Sequence, residues 1–123
     1  MMYDEVQPKP EDVPKALLEY VAAVRAHYGS RLHDIVLFGS RARGDMRSDS
    51  DADVAVVIAD GDWSFWREKR ELADLTYEPL IDWGLSIQPW PLSISQWANP
   101  ELHHNPRFVH AIKRDAKPLA ENE

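Results

Sequence analysis

Two groups of residues with chemical potential lie close together in the first half of the chain. Gly39 and Ser40 directly follow one apolar run, and Asp51 and Asp53 introduce a second. A glycine after a strand lets the backbone approach a phosphate closely, and a serine beside it adds a hydroxyl and an N–H group. Carboxylates two residues apart on an extended strand project from the same face. This spacing predicts a phosphate-binding turn beside a pair of carboxylates.

The predicted carboxylate pair has the chemistry of a magnesium site. Mg²⁺ prefers hard oxygen ligands and commonly leaves several coordination positions for phosphates and water. An ion held there would bridge a triphosphate and an attacking nucleophile during an in-line displacement. Asp51 and Asp53 are therefore the candidate catalytic residues and metal ligands, and Gly39 and Ser40 are the candidate nucleotide-binding residues.

Each half of this pattern also has a simpler interpretation. Turns at strand ends often contain Gly-Ser, and acidic pairs before strands are often solvated caps. The run from Asp49 to Asp53 begins like an EF-hand loop, but Val54 stands where that loop needs glycine, and a strand follows. A Walker A loop is excluded because no Gly-Lys-Ser/Thr follows the first glycine. Only the combination, between two apolar strands, favours nucleotide chemistry.

Hydrophobic periodicity predicts the elements that must position these residues. An apolar stripe after Pro14 predicts a helix that closes near Gly29, and Leu85 to Gln88 reads as a strand ended by Pro89 and Pro91. The other predicted elements are strands at 35–38 and 53–58, a helix from 63 to about 83 with a kink or early end at Pro79, a capped turn at 93–97 and a last helix at 107–113. The charged run 68–71 is interpreted as a solvated helix face.

Size and composition limit the classes of protein that this chain can represent. Its 123 residues suit one domain, which we expect at 13–118 between a flexible N-terminal arm at 1–12 and a tail at 119–123. A net charge of −7 makes nucleic acid an unlikely partner, and the absence of cysteine excludes disulfides and thiolate metal sites. With no apolar run near the ~20 residues that span a bilayer, and no signal-like N-terminus, we expect no membrane association and a cytoplasmic location.

The Gly39–Gly44 segment (GSRARG), the ten residues between Ser40 and Asp51, and the Asp-x-Asp pair before an apolar strand together resemble a known family. This is the minimal nucleotidyltransferase branch of the DNA polymerase beta nucleotidyltransferase superfamily. The resemblance is sharpest over residues 33–60. It implies an α/β (α+β) fold, with a small mixed sheet flanked by helices, that transfers a nucleoside monophosphate from ATP to an acceptor with the help of Mg²⁺.

The resemblance also implies roles for individual residues and a partner. Gly39 and Ser40 would hold the β- and γ-phosphates of the nucleoside triphosphate, Asp51 and Asp53 the metal ions, and Arg43 a further phosphate. Members of this branch often act as antitoxins that adenylylate a small helical HEPN-type toxin, so such a protein is the implied partner. Association of this chain with copies of itself stays open.

One departure from the family pattern concerns the third carboxylate that active members usually carry on the following strand. The matching segment here, Leu85 to Gln88, contains no acid, and Gln88 can neither bind a metal strongly nor accept a proton. Asp82 and Glu78 lie upstream on the predicted helix. The alternative function is therefore a nucleotide-binding module that has lost turnover and acts by covering a partner.

The tryptophans are the remaining feature with two interpretations. Five in so short a chain exceed what the core needs. Trp66 and Trp83 are expected in the core, whereas Trp90 and Trp97 fit either the core or an exposed patch for a partner. The adjacent pair His103 and His104 is interpreted as a surface loop, since neighbours in sequence do not face one another on a helix.

Overall fold

The computed structural model describes residues 7–119, which form one four-stranded sheet with helices on both of its faces. The helices are α1 (Val13–Tyr28), α2 (Ser40–Arg43), α3 (Phe65–Asp74), α4 (Tyr77–Trp83), α5 (Ile94–Ala98) and α6 (Pro106–Asp115). The strands are β1 (Leu32–Phe38), β2 (Ala52–Ile58), β3 (Ile87–Ser93) and β4 (Lys117–Pro118). Within residues 7–119, no helix is long and apolar enough to cross a membrane.

The sheet is mixed, as the resemblance implied. Its strand order is β3-β2-β1-β4, with β2 antiparallel to β1 and parallel to β3, while β4 pairs antiparallel with the other edge of β1. The parallel pair requires a crossover, which α3 and α4 provide. The predicted fold class is therefore confirmed, and the short strand β4 is an addition that the sequence patterns did not indicate.

Alternation along the strands separates two apolar clusters, one on each face of the sheet. Val54, Val56 and Ile58 point towards α1, whereas Ala55 lies on the opposite face with residues of α6. Because β2 is covered on both faces, its residues from Val54 to Ile58 are all apolar. Asp53 belongs by this alternation to the α6 face, two residues before Ala55.

Strand β3 continues through both prolines that were expected to end it. It runs from Ile87 to Ser93, with Val54 opposite Pro89 and Val56 opposite Pro91. β3 is an edge strand, and prolines two residues apart direct their nitrogens to the same side of a strand. Both prolines can therefore leave the hydrogen bonds with β2 intact. The prediction of a strand ending at Gln88 was wrong for this reason.

The long helix predicted after Trp63 is two helices, and the break precedes Pro79 instead of coinciding with it. α3 ends at Asp74, and α4 starts at Tyr77. Pro79 then lies in the first turn of α4, where a backbone N–H has no partner within the helix and proline is tolerated.

The predicted capped turn was correct: Ser93 and Gln96 form a reciprocal capping box at the start of α5.

The segment before α1 contacts the rest of the domain. The Ser48 hydroxyl lies 3.0 Å from Gln7 Oε1, and a Cβ added to Gly84 would lie 3.1 Å from the backbone oxygen of Gln7. A short 3-10 helix, Pro10–Asp12, leads into α1. Of the arm predicted at 1–12, residues 1–6 lie outside the described part of the chain, as do residues 120–123 of the predicted tail.

The charged run on α3 is not the solvated face that was expected. Glu68 is completely buried, and its carboxylate accepts hydrogen bonds from Tyr28 (2.9 Å), Arg31 (3.2 Å) and Arg67 (2.9 Å). Burial alone would raise the pKa of Glu68, but these three donors outweigh it and lower the pKa below its usual value. The cluster connects α1 to α3 through a buried charge that the sequence pattern could not reveal.

Replacing Glu68 by glutamine should lower the free energy of unfolding at pH 7 by about 1–3 kcal/mol, because hydrogen bonds to an ionised group are lost. A carboxyl group with a lowered pKa in the folded state stabilises the protein above its unfolded pKa, and that contribution is lost as the pH falls through the folded value. Urea denaturation of both proteins across this pH range is the measurement. Tyr28→Phe, which removes one donor, is the control. Equal stability at pH 7 would contradict the assigned role.

Candidate functional site

The structure brings the Gly-Ser turn and the second aspartate into direct contact. Gly39 has φ 76° and ψ −157°, a conformation that is almost restricted to glycine. A Cβ placed on it would overlap Asp53 Oδ2. Phe38, the last residue of β1, pairs with Asp53 in the sheet register, which explains why the turn after β1 meets this side chain. Glycine is thus required here both by backbone conformation and by the neighbouring carboxylate.

Ser40 begins the single-turn helix α2. The helix is short because Gly44, with φ 86° and ψ 10°, ends it in a left-handed conformation. The backbone oxygen of Ser40 accepts hydrogen bonds from Gly44 and Asp45. Its hydroxyl makes no side-chain hydrogen bond to another residue within 7–119, so it is free to bind a ligand beside Gly39.

Asp51 and Asp53 lie close enough for their charges to interact, although Asp51 precedes β2 by one residue. Partial burial, and then repulsion by Asp51, raise the pKa of Asp53 above its usual value. The positive charges of Arg43 and Lys69 partly offset this rise. The exposed Asp51 and half-buried Asp53 therefore form a site in which added positive charge would be favourable.

Neither arginine of the GSRARG segment has a free guanidinium in this structure. Arg43 donates to Asp45 (3.1 Å) and to Asp115 at the end of α6 (2.8 Å). Arg41 donates to the backbone oxygens of Ser48 and Ser50, and so holds the loop that leads to Asp51. Arg43 is near enough to lower the pKa of Asp53, which leaves its predicted phosphate contact as a proposal.

The residue of β3 beside Asp53 is a glutamine and not an acid. Gln88 pairs with Asp53 in the parallel register of β2 and β3, and its side chain is exposed. Asp82 and Glu78, the upstream acids, lie on α4, which packs against α1 on the other face of the sheet. Burial and then their negative charges raise the pKa of Glu19 there. They do not contribute to the cluster around Asp53.

Lys69 is a site residue that sequence reasoning missed. It lies on α3, yet its amine donates to the backbone oxygen of Pro89 and sits 4.0 Å from the centre of the Trp90 ring. Burial lowers the pKa of Lys69, and the charge of Asp53 partly offsets that effect. The sequence showed only a charged helical run. The direction of the Lys69 side chain follows from the packing of α3 along the edge of β3.

An aromatic groove of about 390 Å³ adjoins this lysine on the α6 face. Its walls include Trp66, which is 74% exposed and so is not the core residue that was expected, and Trp90, which is half-buried. His103 also lines the groove and is buried, with its ring stacked on His104 at 4.5 Å. The histidine pair is thus a packed wall, and only its second member has the exposure of the predicted surface loop.

The donor set fits a magnesium ion that shares its coordination with a substrate. Within residues 7–119, no group of three or more histidine, cysteine, aspartate or glutamate side chains could hold a metal. Mg²⁺ is usually bound through one or two carboxylates, with phosphates and water completing an octahedron. Asp51 and Asp53 supply that number, and their mutual repulsion would be relieved by a cation.

Comparisons with known proteins find one relative in sequence and several proteins of similar fold. A Methanocaldococcus jannaschii protein named as a candidate protein adenylyltransferase, MJ0604, is 36% identical over 73 residues, which cover 59% of this chain and 66% of the relative. A solved toxin–antitoxin structure with AMP-PNP shares the fold, with a TM-score of 0.58 at 18% identity over 86% of this chain and 74% of the other. A candidate nucleotidyltransferase from Sulfolobus solfataricus has a TM-score of 0.53 at 21% identity, covering 76% of each chain.

The sequence profile of one protein family matches most of the chain. That family is described as the nucleotidyltransferase domain, and the match extends from residue 18 to residue 117. It includes the turn at Gly39, the aspartate pair and all of β3. This protein is therefore a member of the nucleotidyltransferase domain family.

Proposed function

We propose that this protein is a Mg²⁺-dependent nucleotidyltransferase that moves AMP from ATP to a hydroxyl group of a protein acceptor. The observation that carries the proposal is the contact between the Gly39 backbone and the Asp53 carboxylate, which leaves no space for a side chain between them. This contact supports the proposal, because a phosphate bound by the turn and a metal ion bound by the carboxylate would share the same small volume. A purely structural turn would not need both.

The residues of the candidate site have different roles, according to their positions along the sheet. Gly39 and Ser40, after β1, hold the β- and γ-phosphates, and Arg43 is a further candidate for this role. Asp51 and Asp53, at the start of β2, hold Mg²⁺, which when bound would neutralise phosphate charge. In an in-line displacement the acceptor oxygen bonds to the α-phosphorus as pyrophosphate leaves, and the hydroxyl proton passes to water. The acceptor oxygen therefore attacks the α-phosphorus from the side opposite the leaving pyrophosphate.

A partner protein as acceptor is supported by the relatives and by the size of the domain. One relative is named as a protein adenylyltransferase, and two solved neighbours are toxin–antitoxin structures. One of these, MntA–HpeT, carries two aspartate-to-glutamate substitutions two positions apart, the spacing of Asp51 and Asp53. We propose that the acceptor is a small helical HEPN-type toxin and that this protein is its antitoxin.

The second candidate function is a nucleotide-binding module without turnover. Gln88, which pairs with Asp53 where active relatives are expected to carry a third carboxylate, favours it. Such a module would act by covering its partner, and loss of the Asp53 carboxylate would leave that action intact. Under the enzymatic proposal the same loss removes the biological effect.

The test uses ATP labelled at the α-phosphate, with Mg²⁺ and lysate of the host organism. We expect label on one discrete protein band with the wild type and none with Asp53→Asn. ATP labelled at the γ-phosphate should leave that band unlabelled, which distinguishes nucleotidyl transfer from phosphorylation. Binding of ATP without any transfer of the α-label would support the module and overturn the enzymatic proposal.

A further inference from the structure

Lys69 has an unusual environment for a lysine on the outer part of a small domain. It is half-buried, whereas lysine ammonium groups ordinarily extend into water. The amine contacts the backbone oxygen of Pro89, and the ring of Trp90 lies 4.0 Å away. These contacts hold the charge at the outer edge of β3.

The contacts of Lys69 place its ammonium group close to the candidate site. The amine binds the oxygen of Pro89, and Pro89 directly follows Gln88, the residue of β3 that pairs with Asp53. No ion pair between Lys69 and Asp53 lies within 4.0 Å, and neither has a salt-bridge partner elsewhere among residues 7–119. Neither charge is therefore consumed in a structural ion pair.

Under the proposed function, a reacting phosphoryl group would lie near the edge that Lys69 occupies. With the triphosphate over the turn after β1 and the metal over β2, the α-phosphoryl group would lie between Asp53 and β3, because β2 separates β1 from β3. An ammonium group with one backbone acceptor keeps two further N–H donors. At that place the position of Gln88 provides no charge, and Lys69 is the cation on the β3 side.

We propose that Lys69 is a further substrate-binding residue, whose ammonium group binds the α-phosphoryl oxygens of the nucleotide from the side of β3. This inference rests on the proposed function, because it uses the direction in which the nucleotide lies. Lys69 stabilises negative charge on the phosphoryl oxygens in the bound nucleotide and more strongly in the transition state.

Three proteins test the role: the wild type, Lys69→Gln and Lys69→Arg. Glutamine keeps an N–H donor for Pro89 but loses the charge, and arginine keeps both. We expect Lys69→Gln to weaken Mg²⁺-ATP binding by roughly 5–10-fold and to lower the rate of AMP transfer by roughly 100-fold. Lys69→Arg should restore binding to within about threefold of the wild type and recover most of the rate.

The outcomes separate this inference from the proposed function. If Lys69→Gln binds ATP and transfers AMP like the wild type, the role of Lys69 is wrong while the function stands. If the wild type binds ATP but transfers nothing, the function is wrong, and the ratio of ATP affinities still decides the role of Lys69. A lysine that only supports β3 would lower the thermal midpoint of Lys69→Gln and leave affinity and rate unchanged. Wild-type protein that does not bind ATP overturns both.

Discussion

Replacing Asp53 by asparagine is expected to lower the rate of AMP transfer on the order of 1000-fold, because the metal site loses its buried carboxylate. Asparagine has nearly the same shape, so the contact with Gly39 can persist while the charge is removed. The measurement is the initial rate of α-label transfer at saturating Mg²⁺ and ATP.

A matched control lies four residues earlier in the chain. Asp49 is exposed and pairs with Arg47 at 3.6 Å, away from the Gly39 turn. Asp49→Asn removes the same charge from the loop that leads into β2, and its transfer rate should stay within about twofold of the wild type. A similar loss in both variants would show that the overall charge of the loop matters, and would contradict a specific role for Asp53.

Asp53→Asn should be more stable than the wild type when no metal is present. Burial and Asp51 together raise the folded pKa of Asp53, so the folded protein binds more protons than the unfolded chain between the two pKa values. Ionisation of Asp53 therefore destabilises the fold, and stability falls as the pH rises through this window. Asparagine removes the penalty, and the thermal midpoint at pH 7 should rise by roughly 2–4 °C.

Two conditions check this explanation of the stability change. Below the unfolded pKa the carboxyl group is protonated in both states, so the advantage of Asp53→Asn should disappear. Mg²⁺ with ATP should raise the midpoint of the wild type and much less that of the variant, since ligands stabilise only the state that binds them. A variant less stable than the wild type at pH 7 would show that Asp53 holds the fold together.

Replacing Gly39 by alanine should abolish most of the activity and also destabilise the fold. The alanine Cβ would overlap Asp53 Oδ2, so either the carboxylate or the turn must move. The backbone conformation itself costs about 1–3 kcal/mol for a residue other than glycine. We expect transfer to fall roughly 100-fold, because displacements of about 1 Å in a reacting geometry have effects of this size. Thermal unfolding and label transfer are measured on the same preparation.

Gly44 offers the control that separates backbone strain from the clash. It too has a positive φ, 86°, but a Cβ there would meet nothing within 4 Å. Gly44→Ala should therefore cost about 1–2 kcal/mol of stability and largely retain activity. If both alanine variants lose activity equally, strain in the α2 turn explains the loss, and the Gly39–Asp53 contact has no special role.

Local sequence features were sufficient wherever the physics is local. The β-branched apolar runs correctly predicted β1 and β2, and Ser93 correctly predicted the start of α5. The prediction for β3 failed because the effect of a proline depends on whether its strand lies at an edge of the sheet, which no local pattern contains. The same limit applied to Pro79, since tolerance of proline depends on the residue at which a helix starts.

The sequence by itself determined the candidate carboxylates, the Gly-Ser turn and the absence of a third acid at Gln88, because spacing along two adjacent strands carries that information. Only the tertiary structure decided which charges on α3 face the interior. Glu68 is buried against Tyr28, and Lys69 contacts Trp90, although both belong to one continuous charged run. The direction of a helical side chain depends on what packs against the helix. For Lys69 that neighbour is the edge strand β3, whose Pro89 lies 20 residues further along the chain.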